Sequence, residues 1–159
     1  MSPDGRLMRF TRNIRYWAPV ALWMLVIFWM STSLFSSDNT ASVVEPAIRY
    51  VQPSITEPDV YRCHNAIRKM AHVLEYFIFG FLLFRAFKAG SDERRAGRWA
   101  AYSFLIVALC AASDEFHQSF LSDRTAALID VGIDALGGLL GLCVCVLCQH
   151  RREQRKSWL

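Results

Sequence analysis

The chain has 159 residues, 53% hydrophobic and 20% charged, with a formal net charge of +4 and a mean hydropathy of +0.21. That length argues for one domain. The apolar content excludes an intrinsically disordered chain, and eight glycines and five prolines without a repeat exclude collagen-like and low-complexity classes. An ordinary charge content at so high a hydropathy requires the charges to be sorted along the chain.

The first apolar segment, 16–35, holds no charged side chain. At ~1.5 Å per residue it is long enough to cross a hydrocarbon core of ~30 Å. An Arg-rich start before an apolar run is also the pattern of a signal peptide. The bulk of Trp17, Trp23, Phe28 and Trp29, and the lack of a small-x-small site directly after the run, favour a retained span.

A polar connection, 36–68, follows, with Pro46, Pro53 and Pro58 along it. Within it, Val43, Val44, Ala47, Ile48 and Val51 have the spacing of a short amphipathic helix, lying on the membrane surface or over the helix ends. Three further apolar segments are expected to span, at 70–87, 99–113 and 126–148. They lack the polar faces that helices of a soluble bundle would need. Of the five cysteines, Cys63 lies in the polar connection, while Cys110, Cys143, Cys145 and Cys148 read as small hydrophobes within the spans.

The expected fold is therefore all-α, a polytopic membrane protein of four transmembrane helices. Its sidedness follows from Lys and Arg. Arg6, Arg9, Arg12 and Arg15 precede the first span; Arg85, Lys88, Arg94, Arg95 and Arg98 lie between the second and third; Arg151, Arg152, Arg155 and Lys156 follow the fourth. Arg49, Arg62, Arg68, Lys69 and Arg124 fall in the two remaining connections. The positive-inside rule places both termini in the cytoplasm. The net positive charge then reads as topology and as contact with anionic lipid, not as a nucleic-acid site.

Charged groups within a span cost about 2.5 to 3.5 kcal/mol each, so by default they are paired or functional. Lys69, His72, Glu75 and Tyr76 open the second span; Asp114, Glu115, His117 and Gln118 close the third; Arg124 stands in the next connection; Asp130 and Asp134 open the fourth. With the topology above, all three groups fall at one level, in the outer leaflet. Three separate segments should converge on one polar cluster.

The ordered set Lys69-x-x-His72-x-x-Glu75-Tyr76, Asp114-Glu115-x-x-Gln118, Arg124, Asp130 and Asp134-x-x-Gly137-x-x-x-Gly141 resembles the VanZ-like family of small bacterial membrane proteins. Asp123 and Asp134 depart from its pattern, where Gly and Asn are the commoner residues. The resemblance implies a multi-pass protein of the bacterial cytoplasmic (inner) membrane linked to the cell envelope, since the best-known member is associated with low-level resistance to teicoplanin.

Two readings of the cluster stay open. In one, it binds or processes an anionic lipid-linked envelope intermediate. Lys69 and Arg124 hold a phosphate or carboxylate. His72, oriented by Glu75 or Asp114, moves a proton, with Tyr76, Gln118, Asp130 and Asp134 lining the site. No cofactor is identified, and a metal-assisted variant takes His72, Glu75, Asp114 and Glu115 as hard N/O ligands. In the other reading the protein is a non-catalytic scaffold. Its polar residues then form an interhelical network, and Gly137 and Gly141 provide a small-residue packing face. The surplus of acids over bases favours a ligand, and the apolar cytoplasmic halves of the spans argue against an ion path.

Overall fold

The computed structural model describes residues 3–32, 34, 36–89, 95–120 and 128–157. These form five helices, α1 (Pro3–Met30), α2 (Ser37–Val51), α3 (Glu57–Lys88), α4 (Ala96–Gln118) and α5 (Leu128–Ser157), with no strand among the described residues. All but α2 are long and apolar enough to cross a membrane. The expected all-α fold with four spans is the observed one.

The helices depart from the expected boundaries at α1, which begins at Pro3, and at α3. Helix α3 begins at Glu57, so the connection expected over 36–68 is largely helical. Pro58 is placed in the first turn, where its missing N–H costs no hydrogen bond. The 32 residues of α3 extend about 48 Å, well over the ~30 Å of hydrocarbon. Measured from the basic residues at its C-terminal end, its first turns project beyond the apolar layer.

Helix α2 is the amphipathic segment read from the sequence. Ser36 caps it, its hydroxyl accepting from the Asn39 amide at 3.4 Å. Thr40, Val44 and Ile48 lie half-buried on the inward side, while Val43, Ala47, Tyr50 and Val51 are exposed. Two contacts fasten α2 to the projecting part of α3. Arg49 donates to Glu57 at 2.5 Å, and Thr40 Oγ1 meets Nε2 of the buried His64 at 3.1 Å.

Helix α3 is the hub. It packs most extensively on α5, and also on α1, α2 and α4. The α3–α5 contact is made backbone to backbone. A Cβ on Gly141 would run into the Phe77 carbonyl, and one on Gly137 would stand 2.5 Å from the carbonyl oxygen of Val73. Both pairings advance four residues on each helix, so α3 and α5 run parallel. In lipid, where burying apolar surface gives no advantage, such close approach supplies the association energy.

Below this contact lies the apolar core, with Val20, Ile27, Phe79, Leu83 and Val107 at its centre and Phe84, Leu142 and Cys145 beside it. Rings gather at the end where Arg85 lies over Tyr16, 5.3 Å from its centroid. Trp17 meets Phe87 edge-on at 5.0 Å, and Phe87 stacks on Trp99 at 5.4 Å. Aromatic residues beside Arg and Lys mark a membrane–water boundary. The first half of α1 thus lies at the same end of the bundle as the close of α3 and the start of α4.

Much of the outer surface is apolar, including Leu22, Leu25, Phe28, Leu105, Leu109 and Leu147, as a lipid-facing surface requires. Cys143 and Cys148 belong to this exposed surface and only Cys145 is buried. The CxxC residues therefore point different ways from one helix.

Candidate functional site

On α3 the inward stripe runs His64, Arg68, His72, Glu75, Phe79 and Leu83, in steps of three and four residues that keep one helical face. Its lower part is apolar core and its upper part is polar. On α4 the corresponding stripe is Ser103, Val107, Ala111, Glu115 and Gln118, all buried. On α5 it passes from Asp134 through Gly137 and Gly141 to Cys145, also buried. Each helix thus changes from apolar to polar at the same height, because the packing of all three is fixed lower down.

The polar ends meet. His72 Nδ1 and Asp134 Oδ1 are 3.4 Å apart, with the Asp134 side chain 3% exposed. One ligand atom each from His72, Asp114 and Asp134 lies within 4.8 Å of the others. Asp114 accepts from Gln118 Nε2 at 3.1 Å, and the same amide reaches Ser31 Oγ at 3.5 Å. Through Trp23, α1 joins the same level, its indole N–H donating to the Glu75 carbonyl at 2.9 Å.

Two cavities adjoin the cluster. One, of about 70 Å³, is lined by Met30, Ser31, Thr40, Arg68, His72, Glu75 and Asp114. The other, of about 220 Å³, lies between α1 and α4 against Met24, Ile27, Phe28, Cys110 and His117. Ser31 and Asp114 line both. A polar chamber therefore adjoins an apolar groove whose walls include the lipid-exposed Met24 and Phe28.

The sequence-predicted residues are distributed unevenly. His72, Glu75, Tyr76, Asp114, Glu115, Gln118 and Asp134 lie in the bundle interior or on the polar chamber, with Glu75, Tyr76, Glu115, Gln118 and Asp134 buried. Asp130 is half-buried, one turn before Asp134. Lys69 is exposed, and the cation on the chamber is its neighbour Arg68. Asp134 makes a close contact with His72 at 3.4 Å, and Asp114 brings a carboxylate oxygen within 4.8 Å of the same pair. Among the described residues, His72, Asp114 and Asp134 have metal-ligand spacing, a set that shares His72 and Asp114 with the one read from the sequence. Arg124 lies outside the described residues.

Sequence reasoning also missed Ser31, Thr40 and His64. Arg68 was within reach, because it precedes His72 and Glu75 by four and seven residues and so shares their face. Ser31 and Thr40 carried no such signal, since only the packing of α1 and α2 against α3 brings them to the chamber.

These features define a multi-pass helical membrane protein with a polar cluster enclosed among three of its spans. The family model described as VanZ/LLP1 matches residues 16–149, and the chain belongs to that family. The match takes in α2, the whole cluster and most of each of the four spans. No curated protein and no solved structure matches the chain.

Proposed function

We propose that this protein works at the cell envelope, in the bacterial cytoplasmic membrane with both termini inside, and that its polar chamber binds the anionic headgroup of a lipid-linked envelope intermediate from the outer leaflet. The observation that carries this reading is the pairing of cavities. The chamber presents Arg68 and His72 to a phosphate or carboxylate, and the groove between α1 and α4 offers Met24, Ile27 and Phe28 to a hydrocarbon chain. Ser31 and Asp114 stand where the headgroup meets the chain. Arg suits such a headgroup because its planar fork donates two parallel hydrogen bonds.

The depth of the chamber supports the same reading. Arg68 lies 17 residues before Arg85 on α3, about 26 Å along the helix, which puts its guanidinium near the opposite boundary of the hydrocarbon layer. His72 and Glu75 lie one and two turns deeper, where a headgroup drawn into the chamber leaves bulk water. His72 then stands beside the headgroup to give or take a proton. The resemblance to a family whose best-known member is associated with teicoplanin-type resistance supports a place at the cell envelope.

A scaffold reading has support in the interhelical contacts His72–Asp134 and Gln118–Ser31, which join α3 to α5 and α4 to α1. The cavities favour the ligand reading, because a network serving packing alone would close them.

Native mass spectrometry of the full-length protein, extracted in mild detergent, tests the proposal. A retained anionic lipid in the wild type, reduced in Arg68→Gln, is the expected result. Retention of zwitterionic and anionic lipids alike, unaffected by Arg68→Gln, would overturn it.

A further inference from the structure

We infer that His72, Asp114 and Asp134 form a site for one divalent cation of the Zn²⁺ or Mn²⁺ kind, held between α3, α4 and α5. The site shares residues with the headgroup chamber but does not depend on lipid binding there. Each of the three residues offers one ligand atom, and these atoms lie within 4.8 Å of one another. The closest pair, His72 Nδ1 and Asp134 Oδ1, is 3.4 Å apart. Two donors bound tetrahedrally to one ion at about 2.1 Å stand about 3.4 Å from each other.

Burial supplies the second observation. Asp134 is 2% exposed, and its Oδ1 is directed at His72 with no hydrogen-bond partner among the described residues; nor has His72 Nδ1 one. The 3.4 Å contact is longer than a usual N–H···O hydrogen bond and equals the spacing of two donors on one ion. A buried polar atom left without a partner is rare enough to require an explanation, and a shared cation satisfies both atoms at once.

The surroundings fit a metal site. Asp114 is oriented through Oδ2 by Gln118, which in turn reaches Ser31, the kind of outer support that ligating carboxylates have. The hydroxyl of Tyr76, fully buried and without a hydrogen-bond partner among the described residues, lies in the field of Asp114 and Asp134. His72 and Asp114 line the 70 Å³ chamber, so a fourth coordination position opens on a space that admits water or a ligand oxygen, as in catalytic rather than structural metal sites.

Donor chemistry selects the ion. Imidazole suits Zn²⁺, and carboxylates suit Mn²⁺ and the harder cations; one imidazole with two carboxylates accommodates either of the first two. No thiolate belongs to the set, which disfavours Cu⁺. Two carboxylates and a neutral imidazole would also concentrate negative charge at a depth where charge is costly, and a divalent ion neutralises it.

The test uses full-length protein in detergent, stripped with chelator and titrated with Zn²⁺ or Mn²⁺ alone, without anionic lipid. Calorimetry and elemental analysis after gel filtration should find about one ion per chain for at least one of the two metals. His72→Gln and Asp134→Asn should each weaken binding at least tenfold, while Asp59→Asn, in the first turn of α3, leaves it unchanged. The wild type should also melt several degrees higher with the ion than after chelation, by mass action on the folded state. This measurement needs no variant to fold. Absence of both stoichiometric binding and a melting shift in the wild type overturns the inference, as does unchanged affinity in folded His72→Gln and Asp134→Asn. Arg68→Gln should keep the ion, so failure of the lipid reading leaves this result standing and the reverse.

Discussion

His72 on α3 and Asp134 on α5 bring a ring nitrogen and a carboxylate oxygen to 3.4 Å, yet neither atom has a hydrogen-bond partner among the described residues. This pair sits where two closely packed parallel helices open into a polar chamber.

Its energetics can be measured. The two groups face each other at 3.4 Å, and removing one leaves the other buried with no ionisable group opposite it, so His72→Leu and Asp134→Leu should each destabilise the metal-free protein by about 1 to 3 kcal/mol. The double variant His72→Leu/Asp134→Leu should recover most of that loss, because replacing both partners by apolar groups removes both desolvation costs. Thermal unfolding of the four proteins in one detergent, after chelation, gives the cycle. A double variant less stable than either single one would show that the pair holds the bundle together.

Gly141 makes the closest approach of α5 to α3 among the glycines, against the Phe77 carbonyl. Because the obstacle is backbone and not a flexible side chain, Gly141→Ala must push the helices apart and should cost about 1 to 3 kcal/mol. Gly132 has nothing within 4 Å of an added Cβ, so Gly132→Ala should be neutral or stabilising by up to ~1 kcal/mol through helix propensity alone. Opposite signs in the two melting shifts would confirm backbone contact as the reason for the glycine.

Arg68 and Lys69 are adjacent in sequence and opposite in placement. Arg68→Gln should lower the amount of anionic lipid retained about tenfold, in keeping with the loss of a charge-assisted hydrogen bond. Lys69→Gln, altering an exposed side chain, should change retention less than about twofold. Equal effects would point to a diffuse attraction between basic residues and anionic lipid.

Sidedness is open to direct labelling. Cys63 is exposed on the part of α3 that projects past the apolar layer, whereas Cys143 and Cys148 are exposed on the span of α5. In spheroplasts of variants retaining a single cysteine, a membrane-impermeant maleimide should modify Cys63 and leave Cys143 unmodified. Reporter fusions after Ser122 should read outside, and fusions after Asp92 inside. Protection of Cys63 together with reversed fusion signals would invert the proposed orientation and move the chamber to the inner leaflet.

The four spans, the amphipathic α2 and the family were legible because each rests on local information: run length, periodicity, or the ordered spacing of Lys69, His72, Glu75 and Asp134. The level at which polar residues gather was also legible, since it follows from counting along each span from the basic flanks. Lys69 is exposed for a local reason. A one-residue step rotates a side chain by about 100° around the helix, and spacing from His72 alone admits either i+3 or i+4, so Arg68 and Lys69 compete for the same face. The choice fell to Arg68 when α3 settled against its neighbours.

Sequence by itself thus determined that this chain crosses a membrane through four helices and carries charged groups near one end of three of them, because hydropathy and the cost of burying charge act residue by residue. Only the tertiary structure decided which of those groups touch. The close backbone approach of Gly137 and Gly141 to α3 sets the rotation and height of α5, and that rotation places Asp134 against His72. The same packing leaves a chamber beside Arg68 that opens toward an apolar groove, a relation between separate helices that no spacing along one of them encodes.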